Sequence, residues 1–220
     1  MKKFKLILNI FLILLISISK SYSLVEVDIT RGNLNPLPIA VSPLFQDNNS
    51  NTFFEKELEI EDIGSEISKV IENNLKQSGL FNPLSKDAFL QKPDIAHLKP
   101  RFEDWALIKS QALITGKVTA VNEKLKVEFR LWDVLAGREM LALAFTTVPS
   151  NWRRVGHIIT DKVYQRLTGE KGYFDTRIIY VSEEGPKTQR IKKLAIMDQD
   201  GFNTKYLTLG NELVLAPRFN

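Results

Sequence analysis

The groups that could do chemistry are few. Only two histidines, His97 and His157, occur in the chain, and there is no cysteine. No Gly-x-Ser-x-Gly elbow is present, and no Ser/His/Asp set stands at a recognisable local spacing. Neither histidine has the His/Glu spacing of a metal-binding helix. His157 lies beside apolar positions of a predicted helix and reads as a packing or surface residue. Asp198-Gln199-Asp200-Gly201 briefly resembles a calcium loop. An EF-hand places its first acid two residues earlier, where Ile196 stands, and requires a glutamate further on. The run therefore reads as a tight turn, with Asp and Gly at positions that tolerate left-handed backbone. Glu55, Glu57, Glu59, Glu61 and Asp62 read as acids supporting the N-terminus of a following helix. Trp105, Trp132 and Trp152 are scattered and form no visible sugar platform. No catalytic, metal or cofactor site emerges.

The elements that must position these residues begin after a targeting segment. Lys2, Lys3 and Lys5 precede an apolar run from Leu6 to Ile18, followed by Ser21 and Ser23 as a small-x-small site. This is the pattern of a cleavable secretory signal over 1–23, with the cut expected before Leu24. The apolar run is shorter than the roughly 18 residues a spanning helix needs. Residues 1–23 contain four lysines (Lys2, Lys3, Lys5, Lys20) and no acid. Their removal leaves 26 basic against 26 acidic residues, from 30 and 26 in the whole chain. The sequence pI near 9.1 thus belongs to the leader. A nucleic-acid stripe would need a basic excess that the mature chain lacks. The absence of cysteine excludes lipoprotein anchoring, disulfides and thiolate metal sites. A soluble periplasmic protein without stable membrane insertion is expected.

Leu24–Ile29 (LVEVDI) alternates like a strand. Residues 31–38, with Gly32, Pro36 and Pro38, read as a hinge, so 24–35 forms an extended segment free to pair with its own sheet or with another chain. Ile39–Leu44 reads as a short strand, Gln46–Thr52 as a polar loop, and Phe81–Leu84 as a brief strand. Asp62 is the expected N-cap of a helix whose apolar positions are Ile63, Ile67, Val70, Ile71 and Leu75, with Gly79 as its stop. Segments 112–121, 124–134 and 138–147 predict an antiparallel meander with one apolar face and one wet face. Ser150 is the expected cap of a second helix, with Trp152, Val155, Ile159, Val163 and Leu167 inward and Thr168-Gly169 at its end. Together these predict an α/β (α+β) N-terminal domain over 36–169, with two helices packed on the sheet.

After Gly172 the pattern changes. Arg177–Val181, Ile191–Met197, Lys205–Leu209 and Leu213–Leu215 read as four short strands, the size of one β-propeller blade. One blade cannot bury both its faces, so 173–220 reads as the first blade of an incomplete propeller and the chain as the leading part of a longer protein.

These parts resemble the TolB family of the Tol–Pal envelope system. VEVDITRGNLNPLPIAVSPL (25–44) resembles the family's start, and LAIMDQDGFNTKYLT (194–208) with LVLAPRF (213–219) is similar to its blade signature. Ala216-Pro217 departs from the commoner Ser-Pro of that signature. The resemblance implies a non-catalytic periplasmic scaffold linking TolA and the Pal lipoprotein, supporting outer-membrane integrity and invagination at division. It also implies that Leu24, Val25, Glu26, Val27, Asp28 and Ile29 contact TolA, and that most Pal contacts lie on blades beyond Asn220. The alternatives are a propeller-containing peptidase or glycan hydrolase whose catalytic part lies elsewhere, and a ligand-binding propeller sensor.

Overall fold

The computed structural model describes residues 35–210 and 217–219, the side chain of Asn48 apart. The segment Leu24–Ile29, its hinge up to residue 34 and the strand expected at 213–215 lie outside the described residues.

The first sheet is organised around β1 (Leu37–Val41). β1 pairs in parallel on one side with β3 (Phe81–Pro83) and on the other with β4 (Ala112–Val121). A short β2 (Phe45–Gln46) pairs with β4 further along. β4 continues antiparallel to β5 (Lys124–Asp133), and β5 to β6 (Arg138–Thr147). The order is β3-β1-β4-β5-β6. The meander thus stands almost residue for residue where its alternation places it. Asn122 and Glu123 both adopt positive φ (51° and 59°), the backbone of a two-residue type I′ hairpin.

Parallel neighbours require crossovers. The first, between β1 and β3, contains α1 (Asn48–Leu58) and α2 (Ile63–Gln77). The second, from β3 to β4, contains a 3-10 turn, α3 (Pro93–Ala96) and α4 (Phe102–Leu107). The two run in opposite directions across the sheet, so right-handed connections send their helices to opposite faces. The side chains agree. Ile39, Val41 and Ile114 pack with Ile63, Ile67, Ile71 and Leu75 of α2 and with α5 (Trp152–Thr168). Ala40 and Leu113, one residue out of phase, pack with Ala96 and Trp105 on the other face. The wet face expected for the sheet therefore holds for β6 and most of β5, because α3 and α4 cover it at β1, at the start of β4 and at Trp132 near the end of β5.

Several sequence expectations are corrected. The polar loop at 46–52 is the start of α1: Asp47 caps it by accepting from Ser50 N at 2.8 Å, and Phe54 is fully buried one turn later. Glu55 and Glu57 consequently sit in the last turns of α1, and Glu59 forms its left-handed cap (φ 58°). Acids there oppose the helix dipole rather than support it. Only Asp62 caps α2, accepting from Ser65 N at 2.9 Å. Ser150 caps nothing; it lies in a 3-10 turn over Pro149–Asn151 that leads into α5. The hinge is shorter than expected, since Leu37 and Pro38 belong to β1 and Pro38 O accepts from Gln111 N.

α2 and α5 lie side by side at close range. A Cβ on Gly156 would come within 2.9 Å of Val70 Cγ1. α5 ends on Gly169, whose φ of 78° supplies the left-handed cap.

A second sheet follows, antiparallel, of β7 (Arg177–Glu184), β8 (Ile191–Asp198) and β9 (Lys205–Tyr206). Ala195 is its one buried hydrophobic residue among those described. This is how a blade with nothing packed on its outer faces must look. No helix among the described residues is long and apolar enough to cross a membrane.

Candidate functional site

Three buried polar residues, Asn74, His157 and Thr160, meet at the seam between α5 and the second sheet. Arg153, His157 and Asp161 repeat every four residues, so they share one face of α5, beside its apolar stripe. Asp161 meets the connection that follows, and Arg153 and His157 meet the turn after β8.

Asp161 fixes the connection. Its Oδ1 accepts from Phe174 N at 2.7 Å and its Oδ2 from Asp175 N at 3.1 Å. Gly172 passes so close that a Cβ there would lie 2.3 Å from Asp161 Oδ1, which only glycine permits. Arg154 grips Asp175 in a two-point contact, Nε to Oδ1 at 3.0 Å and Nη2 to Oδ2 at 3.1 Å.

Arg153 and His157 receive the turn after β8. Arg153 Nη2 donates to Asp200 Oδ2 at 2.5 Å, and its guanidinium lies 4.0 Å from the centre of the Phe202 ring. The turn is closed by Gly201 N donating to Asp198 O, with Gly201 at φ 87°. The expected tight turn is present at Asp198–Gly201. Its function in the structure is to dock one sheet on the other domain's helices.

His157 is buried and belongs to packing rather than to the surface. Asn74 of α2 faces it, with its amide nitrogen 2.9 Å from Nδ1 and 3.2 Å from Thr160 Oγ1. Asn74 Oδ1 accepts from Gln199 Nε2 of the turn at 2.9 Å. One buried amide thus ties α2, α5 and the turn together. Nε2 of His157 faces Asp200 Oδ2 at 3.8 Å and makes no hydrogen bond. Burial holds the imidazole below its usual pKa; Asp200 and Asp198 oppose this, and Arg153 adds to it.

Ligand atoms of His157, Asp198 and Asp200 lie within 4.8 Å of one another, a spacing compatible with a divalent ion. The arrangement is nevertheless that of an ion-paired seam. The Arg153 cation already occupies Asp200, and Asn203 Nδ2 holds Asp198 Oδ2. Nor is His157 set as a general base, because its ring nitrogens face Asn74 and Asp200 rather than a hydroxyl nucleophile. His97 stands apart, stacked on Phe45 with ring centres 4.5 Å apart.

The sequence-predicted contact residues Leu24, Val25, Glu26, Val27, Asp28 and Ile29 lie outside the described residues. The described chain shows only where they attach: Asn35 and Pro36 are exposed and run directly into β1. The seam itself escaped sequence reading. Its one legible signal is the polar repeat 153, 157, 161 next to the apolar stripe of α5.

Two family models match the chain in the order of these units. The TolB amino-terminal domain matches residues 25–140, more than half the chain, and the TolB beta propeller domain matches 164–220. The chain belongs to the TolB family. It is 79% identical over 211 residues to the Tol-Pal system protein TolB of Pelagibacter ubique (strain HTCC1062), an alignment covering 96% of this chain and 47% of that protein. The crystal structure of TolB from Acinetobacter baumannii superposes with a TM-score of 0.62 at 26% identity, over 78% of this chain and 38% of that one. The chain therefore spans about half the length of the curated relative it matches. The expected α/β domain followed by the start of a propeller is the TolB arrangement.

Proposed function

We propose that this chain acts in the Tol–Pal system as a non-catalytic periplasmic scaffold between TolA and Pal, supporting outer-membrane integrity and invagination during division. The observation that carries the reading is the 79% identity to a Tol-Pal system protein TolB across 96% of the chain. The seam supports it. Asn74, Asp161 and the Arg153–Asp200 pair there hold the chain's own units together.

In this reading the leader 1–23 is removed on export, and Leu24–Ile29 becomes a free N-terminal strand. Its alternation suits strand addition, in which main-chain hydrogen bonds to a partner's sheet edge give affinity and alternate side chains give specificity. Val25, Val27 and Ile29 would face an apolar surface, while Glu26 and Asp28 face solvent or basic groups. The test is TolA binding by the mature chain with and without residues 24–30, measured by calorimetry. Loss of binding on deletion is expected; binding of unchanged affinity would overturn the proposal.

A further inference from the structure

The chain His157–Asn74–Gln199 has a property beyond holding the seam closed. Asn74 presents its amide nitrogen to His157 Nδ1 and to Thr160 Oγ1, while the Thr160 hydroxyl donates to Gly156 O at 2.8 Å. Asn74 Oδ1 is engaged by Gln199 Nε2. With the Asn74 amide in this orientation Nδ1 accepts, and the neutral ring carries its proton on Nε2, toward Asp200.

A second proton has to go to Nδ1. There it meets the Asn74 amide donor, and two donors face each other. Asn74 can relieve the clash only by turning over and offering Oδ1 to the ring. Its nitrogen then faces the Gln199 nitrogen, and the contact to the turn is lost unless Gln199 turns as well. With Gln199 held in its present orientation, one proton on His157 is passed on as a broken hydrogen bond on the far side of the seam.

We propose that this chain of side chains makes the seam between the N-terminal domain and the first blade acid-sensitive, with protonation of His157 releasing the Asp198–Gly201 turn from α2 and α5.

The charges around the ring decide the sign. Asp200 and Asp198 from the blade and Asp175 from the connection favour the imidazolium; Arg153, from the helix that carries His157, disfavours it; α2 faces the ring with the neutral Asn74. Asp200 has its partner already, since Arg153 donates to it at 2.5 Å, so an imidazolium enters as a second cation on one carboxylate. Burial adds to this and outweighs the aspartates, holding the folded ring below the ordinary value of 6.5. A histidine whose folded pKa is depressed binds its proton more readily in the open state. Closure is therefore fully favoured above about pH 6.5 and weakens as pH falls through the folded pKa.

The experiment is an NMR titration of the purified chain, following the His157 imidazole, the Gln199 side-chain amide and the exchange protection factor of Gly201 N–H. The expected result is that the latter two change with the midpoint of the His157 ring, below 6.5, and that protection of the turn falls by roughly tenfold per unit of depression. In His157→Gln, whose side chain does not titrate, both should stay flat across that range. Gln199→Ala, a partly exposed position that leaves the core intact, should let His157 titrate while uncoupling Gly201 from it. A seam that stays protected while the wild-type ring titrates overturns the proposal. So does a turn that loosens with the same midpoint in His157→Gln or Gln199→Ala.

Discussion

Arg153 of α5 and Asp200 of the turn after β8 form an ion pair at 2.5 Å in which the side chains are 15% and 6% exposed. The carboxylate is thus the more deeply buried partner, and the two losses are unequal. Arg153→Ala leaves Asp200 buried without its cation, whereas Asp200→Asn leaves a guanidinium that keeps its stack on Phe202.

Removing one partner of a buried pair costs on the order of 3–5 kcal/mol, and the residual exposure of Arg153 places the cost toward the lower end. Urea unfolding is expected to show Arg153→Ala as the more destabilised of the two. In a double-mutant cycle the pair should then show a favourable coupling. Equal losses would contradict the asymmetry drawn from burial, and additive ones would show that the pair contributes nothing beyond its separate side chains.

Asp47 illustrates a cap legible only once its helix is seen. Its carboxylate accepts from Ser50 N, and hydrogen bonds from Ser50 hold its pKa below the usual aspartate value. Asp47→Ala should cost about 1 kcal/mol at neutral pH. A depressed carboxylate contributes above its unfolded pKa near 3.8 and loses that contribution as pH falls through the lower folded value. The gap between Asp47→Ala and the parent chain in urea midpoints should therefore be full at pH 7 and close progressively below about pH 4. A gap that persists in strong acid would assign the effect to packing.

Gly156 sets the distance between α2 and α5. With Val70 Cγ1 only 2.9 Å from an added Cβ, Gly156→Ala forces the helices apart or turns Val70 out of its rotamer. Overpacking of this kind costs about 1–3 kcal/mol, against the few tenths to 1 kcal/mol that alanine returns through helix propensity. A net loss of thermal stability is expected. Val70→Ala in the same chain should restore part of it, and no restoration would place the strain elsewhere.

The sequence showed the meander, α2 and α5 because their apolar positions repeat with a fixed period and their ends carry turn chemistry: Asn122-Glu123, Asp62, Gly79, Gly169. α1 was hidden because its first turn, Asn48 to Asn51, is polar, and its buried side is carried mainly by Phe54. α3 and α4 were hidden for another reason. Four and six residues are too few to display a helical period, and what places them is the handedness of a crossover, a property of the whole sheet. The seam was least legible. Asn74 and Gln199 are 125 positions apart, and nothing in the local pattern of either announces the other.

Gln91 is another such residue, polar, buried and unremarkable in the sequence. Its Oε1 accepts from Arg101 N at 2.9 Å and from Trp105 Nε1 at 3.1 Å, and its Nε2 donates to Lys99 O at 3.0 Å. One side chain therefore closes the segment that bears α3 and α4 and orients the Trp105 indole over Ala40 and Leu113. Gln91→Met keeps the volume and removes every one of these bonds, stranding two donors. The expected cost is about 2–4 kcal/mol, from leaving buried donors unmade rather than from lost packing. Two measurements separate those causes. Urea unfolding gives the loss, and hydrogen exchange at the Trp105 indole shows whether water has replaced the Gln91 oxygen. Fast exchange with unchanged resonances for Ala40 and Leu113 is the predicted pair of results. Slow exchange would mean that Trp105 holds its place without Gln91.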